Sequence, residues 1–215
     1  MDVIGGVSME KTISIHRALA ELKRLNNRII AATNEVHAIT TKRKSETKLA
    51  GKPVDDVKKD MQASYDKVVG LIQYRDRLKS LVVQSNAETF VTIGHERMTV
   101  AQAIERKSSI VFEKELLKEL KTQYASAVSE LEMYTEELPE KLETYLVNIL
   151  GSKEKRSEDE LKLHTETFLR RNEYELVDPI NVKGIIDKLE AKIEKFETEV
   201  DAVLSESNAL TMITV

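Results

Sequence analysis

The sequence has no cysteine and no tryptophan, only three prolines and seven glycines, and 5% aromatic residues. Without cysteine there are no disulfides, no thiolate metal sites and no cysteine nucleophile. So few glycines and prolines leave little material for a turn-rich β fold. No apolar run approaches the roughly 20 residues that span a bilayer as a helix, and MDVIGGVSMEK at the start is too short and too acidic for a signal peptide. There is also no excess of basic charge. The 215 residues carry a net charge of −4, which argues against a generally basic nucleic-acid surface. A soluble protein is expected.

What is present is apolar residue at 41% and charged residue at 33%, the mixture of long helices and coiled coils. Residues 1–11 read as a loose leader, with Met9 an alternative start. Ser14 suits a helix N-cap. From it Ile15, Leu22, Ile29 and Val36 recur every seven residues, interleaved with Leu19, Leu25, Ala32 and Ile39. That is a coiled-coil-like seam of about four heptads. Arg17, Glu21, Arg24, Arg28 and Glu35 occupy the other side. The pattern fades at a basic tip, where Lys42, Arg43, Lys44, Lys48 and Lys52 are contact candidates for phosphates or an acidic partner. No aromatic is interleaved for base stacking, and the competing reading is a solvated loop. Gly51 and Pro53 turn the chain into a second helix, Val54–Gln84, expected to lie antiparallel to the first. Arg75 interrupts its apolar face, which suits a snorkelling stem.

The period then changes. Thr89–Ile93 is β-branched and aromatic, Gly94, His95 and Glu96 form a turn, and Arg97 and Met98 return, giving a hairpin over 89–98. Thr99 and Gln102 match a capping box at the start of a third helix, Val100–Glu137. At 1.5 Å per residue this helix alone is roughly 50 Å long. Pro139 is expected to break or kink it. A short helix ending at Gly151, the charged linker SKEKRSEDE and a capped helix from Ser157 and Glu160 then read as an inserted helical hairpin, 138–172. The closing region, 173–215, holds a strand candidate at Tyr174–Val177, a cap at Asp178 or Asn181, and a heptad helix through Val182, Ile186, Leu189, Ile193, Phe196, Val200 and Val203. Asn208 is expected to stop that helix. The tail Ala209–Val215 is strand-like, with the hairpin edge as its expected partner. The expected fold is mainly α: an elongated antiparallel helical bundle or coiled coil, with a small β-hairpin and short strands packed at one end. The leader, the bundle 12–137, the insert and the closing region are read as one structural body.

Chemistry is sparse. His164 lies four residues after Glu160, on one side of a helix, but the repeated Glu-x-x-His motifs of di-iron bundles are missing. His95 reads as a polar turn residue. No Gly-rich phosphate loop or nucleophile elbow appears. No catalytic residue, cofactor or metal is therefore expected. The candidate assembly surface is Phe90, Val91, Ile93, Leu210, Met212 and Ile213, and the candidate basic contact is Lys42, Arg43, Lys44 and Lys48. Phe90→Asp is expected to disturb folding or assembly, and His95→Ala is not.

TISIHRALAELKRLNNRI resembles the opening helix of a small uncharacterised helical family of bacteria and phages, some of whose members are labelled septicolysin-like. The likeness continues through LVVQSNAETFVTIGHERMTVAQAIERKSSI, where Asn86, Thr99, Ala103, Ile104 and Arg106 or Lys107 fill comparable places. It resumes at LVDPINVKGIIDKLEAKIEKFETEVDAVLSESNALTMITV. About two thirds of the chain is covered. The basic tip is shifted, residues 132–172 look like an addition, and the tail lacks the family's tryptophan. The resemblance implies phage-borne provenance, hence a place in the host-cell cytoplasm or a virion. The heptad seams and exposed strand edges lead to the expectation of a non-enzymatic structural or interaction protein, acting as a homo-oligomer or on another phage or host protein. An intracellular regulatory or anti-defence binder is the alternative, and a nucleic-acid binder through the tip 42–52 comes third.

Overall fold

The computed structural model describes residues 11–151 and 157–215. It is 75% helical, with five helices and three short antiparallel strand pairs, which is the mainly-α class expected. The proposed leader, Met9 and part of the charged linker fall outside the described residues. The chain divides into two compact units, residues 1–108 with 195–215, and residues 109–194. The expected boundaries near 138 and 172 both fall inside the second.

The first unit begins with β1 (Thr12–Ser14), which runs directly into α1 (Ile15–Asn34). Ser14 closes the strand and caps the helix, its hydroxyl oxygen accepting from the Arg17 N–H at 3.3 Å. Ile15, Ala18, Leu22 and Leu25 are buried on one helix face. The expected seam is shortened, because α1 stops at Asn34, well before Ile39, which is 91% exposed. Thr33, Asn34, Thr40 and Thr41 are weak helix formers, and the Thr33 hydroxyl bonds back to the Ile29 carbonyl at 2.8 Å. No large side chain is buried past Leu25 on this helix to offset that weakness.

β2 (Lys48–Leu49) and β3 (Lys52–Pro53) form a minimal hairpin. Its central residues, Ala50 and Gly51, have φ of +46° and +83°, the pattern of a type I′ turn. The next helix, α2 (Val54–Glu88), starts straight after Pro53 with Asp55 and Asp56 in its first turn, where negative charge meets the helix dipole favourably. It returns antiparallel to α1, so that Arg75 Nε reaches Asn26 Oδ1 at 3.4 Å. Leu78 and Val82 join Ile13, Ile15, Ala18, Leu22 and Leu25 in one buried cluster.

The tail is a strand, but its partner differs from the one expected. β6 (Met212–Thr214) pairs with β1 in the register Thr12↔Thr214, Ile13↔Ile213 and Ser14↔Met212. Flanking bonds join Lys11 to Val215 in both directions and the Ile15 N–H to the Thr211 carbonyl. Strand alternation explains the choice. Ile213 packs against the α1–α2 cluster while Met212 faces out, and Ile13 is buried beside it. Reading residues 1–11 as a leader and beginning the helix at Ser14 hid this partner.

The hairpin keeps its expected place, as β4 (Phe90–Ile93) and β5 (Glu96–Thr99) in the register Ile93↔Glu96. Of the two turn residues only Gly94 has positive φ, as in a type II′ turn. Neither strand pairs with Tyr174–Val177 or the tail. Val91, Ile93 and Met98 face inward. α3 (Val100–Leu150) then starts from the expected capping box. The Gln102 N–H donates to Thr99 Oγ1 at 3.1 Å, and the Thr99 N–H donates to Gln102 Oε1 at 2.8 Å.

Pro139 does not end α3, which continues to Leu150. A proline removes one backbone bond, but the residues after it stay in one helix, in which Lys141 pairs with Glu137 across the proline and Leu146 is buried. Gly151, at φ +77°, follows the last turn, as a C-terminal glycine does.

In the second unit, α4 (Glu158–Asn172) begins after Ser157 without the expected capping bond. Glu158, Asp159 and Glu160 supply negative charge to its first turn instead. Tyr174–Val177 is not a strand. Tyr174 stacks on Tyr134, with centroids 4.0 Å apart, and that contact holds the segment in place of a ladder. α5 (Val182–Leu210) is doubly capped: the Asp178 carboxylate accepts from the Val182 N–H, and Asn181 Oδ1 accepts from the Gly184 N–H at 3.2 Å. It runs past Asn208. Ile110, Leu146, Ile186 and Ile193 are the buried residues of this unit.

Leu25 is fully buried in the α1–α2 cluster. Leu25→Ala is expected to cost about 2–5 kcal/mol of stability, whereas Ile39→Ala should cost under about 0.5 kcal/mol. Urea denaturation of both variants checks the pair, and equal losses would contradict this core.

Candidate functional site

The basic tip is partly committed to its own loop. Lys42 Nζ donates to the carbonyl oxygens of Arg43 and Glu46, each at 3.1 Å, and to that of Lys44 at 3.4 Å. The Arg43 N–H meets Glu46 Oε2 at 3.0 Å. Lys52 pairs with Asp60 at 2.7 Å, and that hydrogen bond raises its pKa above the ordinary lysine value. The side chains of Arg43, Lys44 and Lys48 are exposed and form no ion pair among the described residues.

The candidate assembly surface is divided by the pleat of the hairpin. Val91 and Ile93 point into the core and are 9% and 3% exposed, so a docking partner cannot reach them; this corrects the expectation. Phe90, Leu210 and Met212 are exposed, and Ile213 is half-buried against the α1–α2 cluster. The Arg97 guanidinium lies 4.5 Å from the Phe90 ring centroid, covering one face of it.

The hairpin turn is held by α5. Glu199 Oε2 accepts from the Gly94 N–H at 2.6 Å. His95 Nε2 lies 3.3 Å from Lys195 Nζ. A Cβ at Gly94 would sit 3.2 Å from the flexible Lys195 stem, which would have to shift by a few tenths of an ångström, and the φ of +63° is what favours glycine here. Arg106 pairs with Glu96 and lies over the Phe196 ring at 4.5 Å. This cluster joins the turn, α3 and α5 by contacts that the one-dimensional pattern does not display.

His164 Nδ1 lies 3.3 Å from the Tyr145 hydroxyl, and the Tyr145 ring packs on Phe168 at 5.0 Å. The side chain of His164 thus meets Tyr145. Among the described residues no three His, Cys, Asp or Glu side chains converge. No helix among them is long and apolar enough to cross a membrane. Tyr134 donates to Glu130 Oε1 at 3.1 Å, and that bond, with the charge of the same carboxylate, raises the phenol pKa.

A concavity of about 620 Å³ lies where the β1–β6 ladder meets α1 and α2. Arg17, Glu21 and Arg24 of α1, Tyr74 and Arg77 of α2, and Lys11, Ile13 and Val215 at the ladder line it. Glu21 is the one acidic side chain in the lining, and it is paired with Arg24. Sequence reasoning placed Arg17 and Arg24 on an outer face and singled out neither Tyr74 nor Arg77. The signal was available in the seven-residue spacing of the two arginines and the antiparallel return of α2, but Lys11 and Val215 depend on the strand pairing that was missed.

Comparison with protein-family models, curated proteins and solved structures finds no match. The functional reading therefore rests on the residues themselves.

Two outcomes are expected. Val91→Asp should unfold the hairpin region, whereas Phe90→Asp should leave thermal stability nearly intact, which limited proteolysis and melting curves will separate. Glu130→Gln should return the alkaline titration of Tyr134 toward the ordinary tyrosine value, read by phenolate absorbance, with Tyr134→Phe identifying the component.

Proposed function

We propose that this chain is a non-enzymatic helical interaction protein that acts by assembling with copies of itself or by docking another protein. The observation that carries the reading is apolar surface left uncovered on long helices. On α3, Val111, Phe112 and Leu116 are 48%, 74% and 53% exposed. On α2, Tyr65, Ile72 and Val83 are similarly open. Scattered single apolar residues are ordinary on a surface, but Phe112 and Leu116 lie four residues apart and share one helix side. Helical faces of this kind are used in helix-to-helix docking.

The resemblance to the bacterial and phage family supports a phage-encoded origin, with action in the host cell or within a virion as parts of the same proposal. An intracellular regulatory or anti-defence binder uses the same surface on a host partner. The third reading, nucleic-acid binding through the tip, is the weakest: Lys42 and Lys52 are engaged within the protein, which leaves a short cationic set.

Sedimentation velocity with light scattering tests the main reading. The chain is expected above monomer mass, and Phe112→Glu should return it to monomer without altering its helical circular dichroism. A strict monomer at every concentration, with no partner recovered from infected cells, would sink the proposal. Mass spectrometry of purified particles separates a virion component from an intracellular factor.

A further inference from the structure

We propose that the groove between α1 and α2, beside the β1–β6 ladder, binds the polyphosphate of a nucleoside phosphate, with Tyr74 against the base. The argument begins with charge. The chain is net acidic, and a number of its cations are paired with carboxylates, among them Lys58 with Asp55, Lys107 with Asp201, Lys121 with Glu190, Lys183 with Asp187 and Lys192 with Glu113. What sets the groove apart is that several cations line one concavity. Lys11, Arg17 and Arg77 form no ion pair among the described residues, and Glu21 is engaged with Arg24. Lys11, Arg17, Arg24 and Arg77 thus line one concavity in which Glu21 is the one acidic side chain, with Val215 beside Lys11. Converging like charges repel, and a bound anion relieves that repulsion.

Spacing selects the kind of anion. Arg17 and Arg24 are two helical turns apart, roughly 10 Å along α1, too far to grip one phosphate together. Arg77 approaches from the opposite wall. This set suits an extended anion, and guanidinium groups engage phosphate oxygens through paired donors. Tyr74 precedes Arg77 by three residues, so the two are neighbours on one helix face. Its side chain is 40% exposed, and its hydroxyl makes no hydrogen bond within the described residues. An exposed ring beside a phosphate grip offers a base a stacking surface. The 620 Å³ of space lies within the range of small-molecule sites, about 300–1,000 Å³. The cations sit on packed elements: Ile13, Ala18, Leu22 and Leu78, interleaved with them in sequence, are all buried.

This inference is independent of the assembly reading, and its test does not use the oligomeric state. Calorimetric titration at about 50 mM salt, where phosphate contacts are weakly screened, would use three probes: a nucleoside triphosphate, inorganic tripolyphosphate and a glutamate-rich peptide. The wild-type chain is expected to bind both phosphate probes and to bind the peptide much more weakly. Arg17→Ala with Arg77→Ala should weaken both phosphate probes about tenfold or more, the scale of one or two lost charge-assisted bonds. Arg17→Lys with Arg77→Lys should keep part of that affinity. Tyr74→Ala should weaken only the nucleoside triphosphate. Arg43→Ala with Lys44→Ala, a charge-matched control in the tip, should change nothing. All the replaced side chains are exposed, and melting curves verify that each variant folds. Failure of the wild type to bind the triphosphate, an equal loss in the control, or equally tight binding of the peptide would each overturn the proposal. An unchanged nucleoside affinity in Tyr74→Ala would remove the base from it.

Discussion

The contact on which the first unit depends is Ile13 against Ile213, seated on Leu22, Leu25, Leu78 and Val82. It joins residues two hundred positions apart through a strand pair only three residues long. A lone two-stranded ladder of that length is marginal in water. What stabilises this one is the apolar floor beneath it, because burying each such side chain contributes about 1.5–3 kcal/mol. Ser14 makes the arrangement compact in sequence terms. The residue that ends the ladder also caps α1, so the strand, the helix start and the buried face meet in three consecutive residues, Ile13, Ser14 and Ile15.

The second constraint is the junction at Gly94–Gln102. A reciprocal cap fixes where α3 begins, and Glu199 ties the turn to α5 across more than a hundred residues. The two devices act on different links. The cap satisfies backbone donors of the helix start, whereas Glu199 and Arg106 position the hairpin against helices that the local sequence does not specify. Val91, Ile93, Met98 and Val100 then bury the inner face, leaving Phe90 outside with Arg97 over its ring.

Local devices were legible in the sequence: the Ser14 cap, the Gly51 and Gly94 turns, the Thr99–Gln102 box and the Asp178 and Asn181 caps all depend on a few neighbouring residues. Readings that needed distant partners fared differently. The tail was recognisably a strand, but its partner lay in residues 12–14, too short to read as a strand alone. Pro139 looked like a stop because a proline weakens a helix by itself; α3 nonetheless continues through it to a segment in which Leu146 is buried. Tyr174–Val177 looked like a strand from β-branched and aromatic content, yet a ring stacked on Tyr134 fills that role without any ladder. The tip drew attention because its cations are consecutive. The groove escaped because its cations come from positions 11, 17, 24 and 77, and only the strand pairing and the antiparallel return of α2 bring them together.

That contrast bears on how charge is used along this chain. Exposed ion pairs such as Lys58–Asp55 and Lys183–Asp187 contribute little to stability, about 0–1 kcal/mol each, but they cancel fields locally on the helix surfaces. Where Arg17 and Arg77 line a concave wall, the local field is set by a small number of groups, and a concave wall of one sign focuses such a field. The buried α1–α2 face holds those groups at fixed spacing. The two sides of α1 thus differ in role: the inward stripe closes the core with the strand ladder, and the stripe beside it carries the cations.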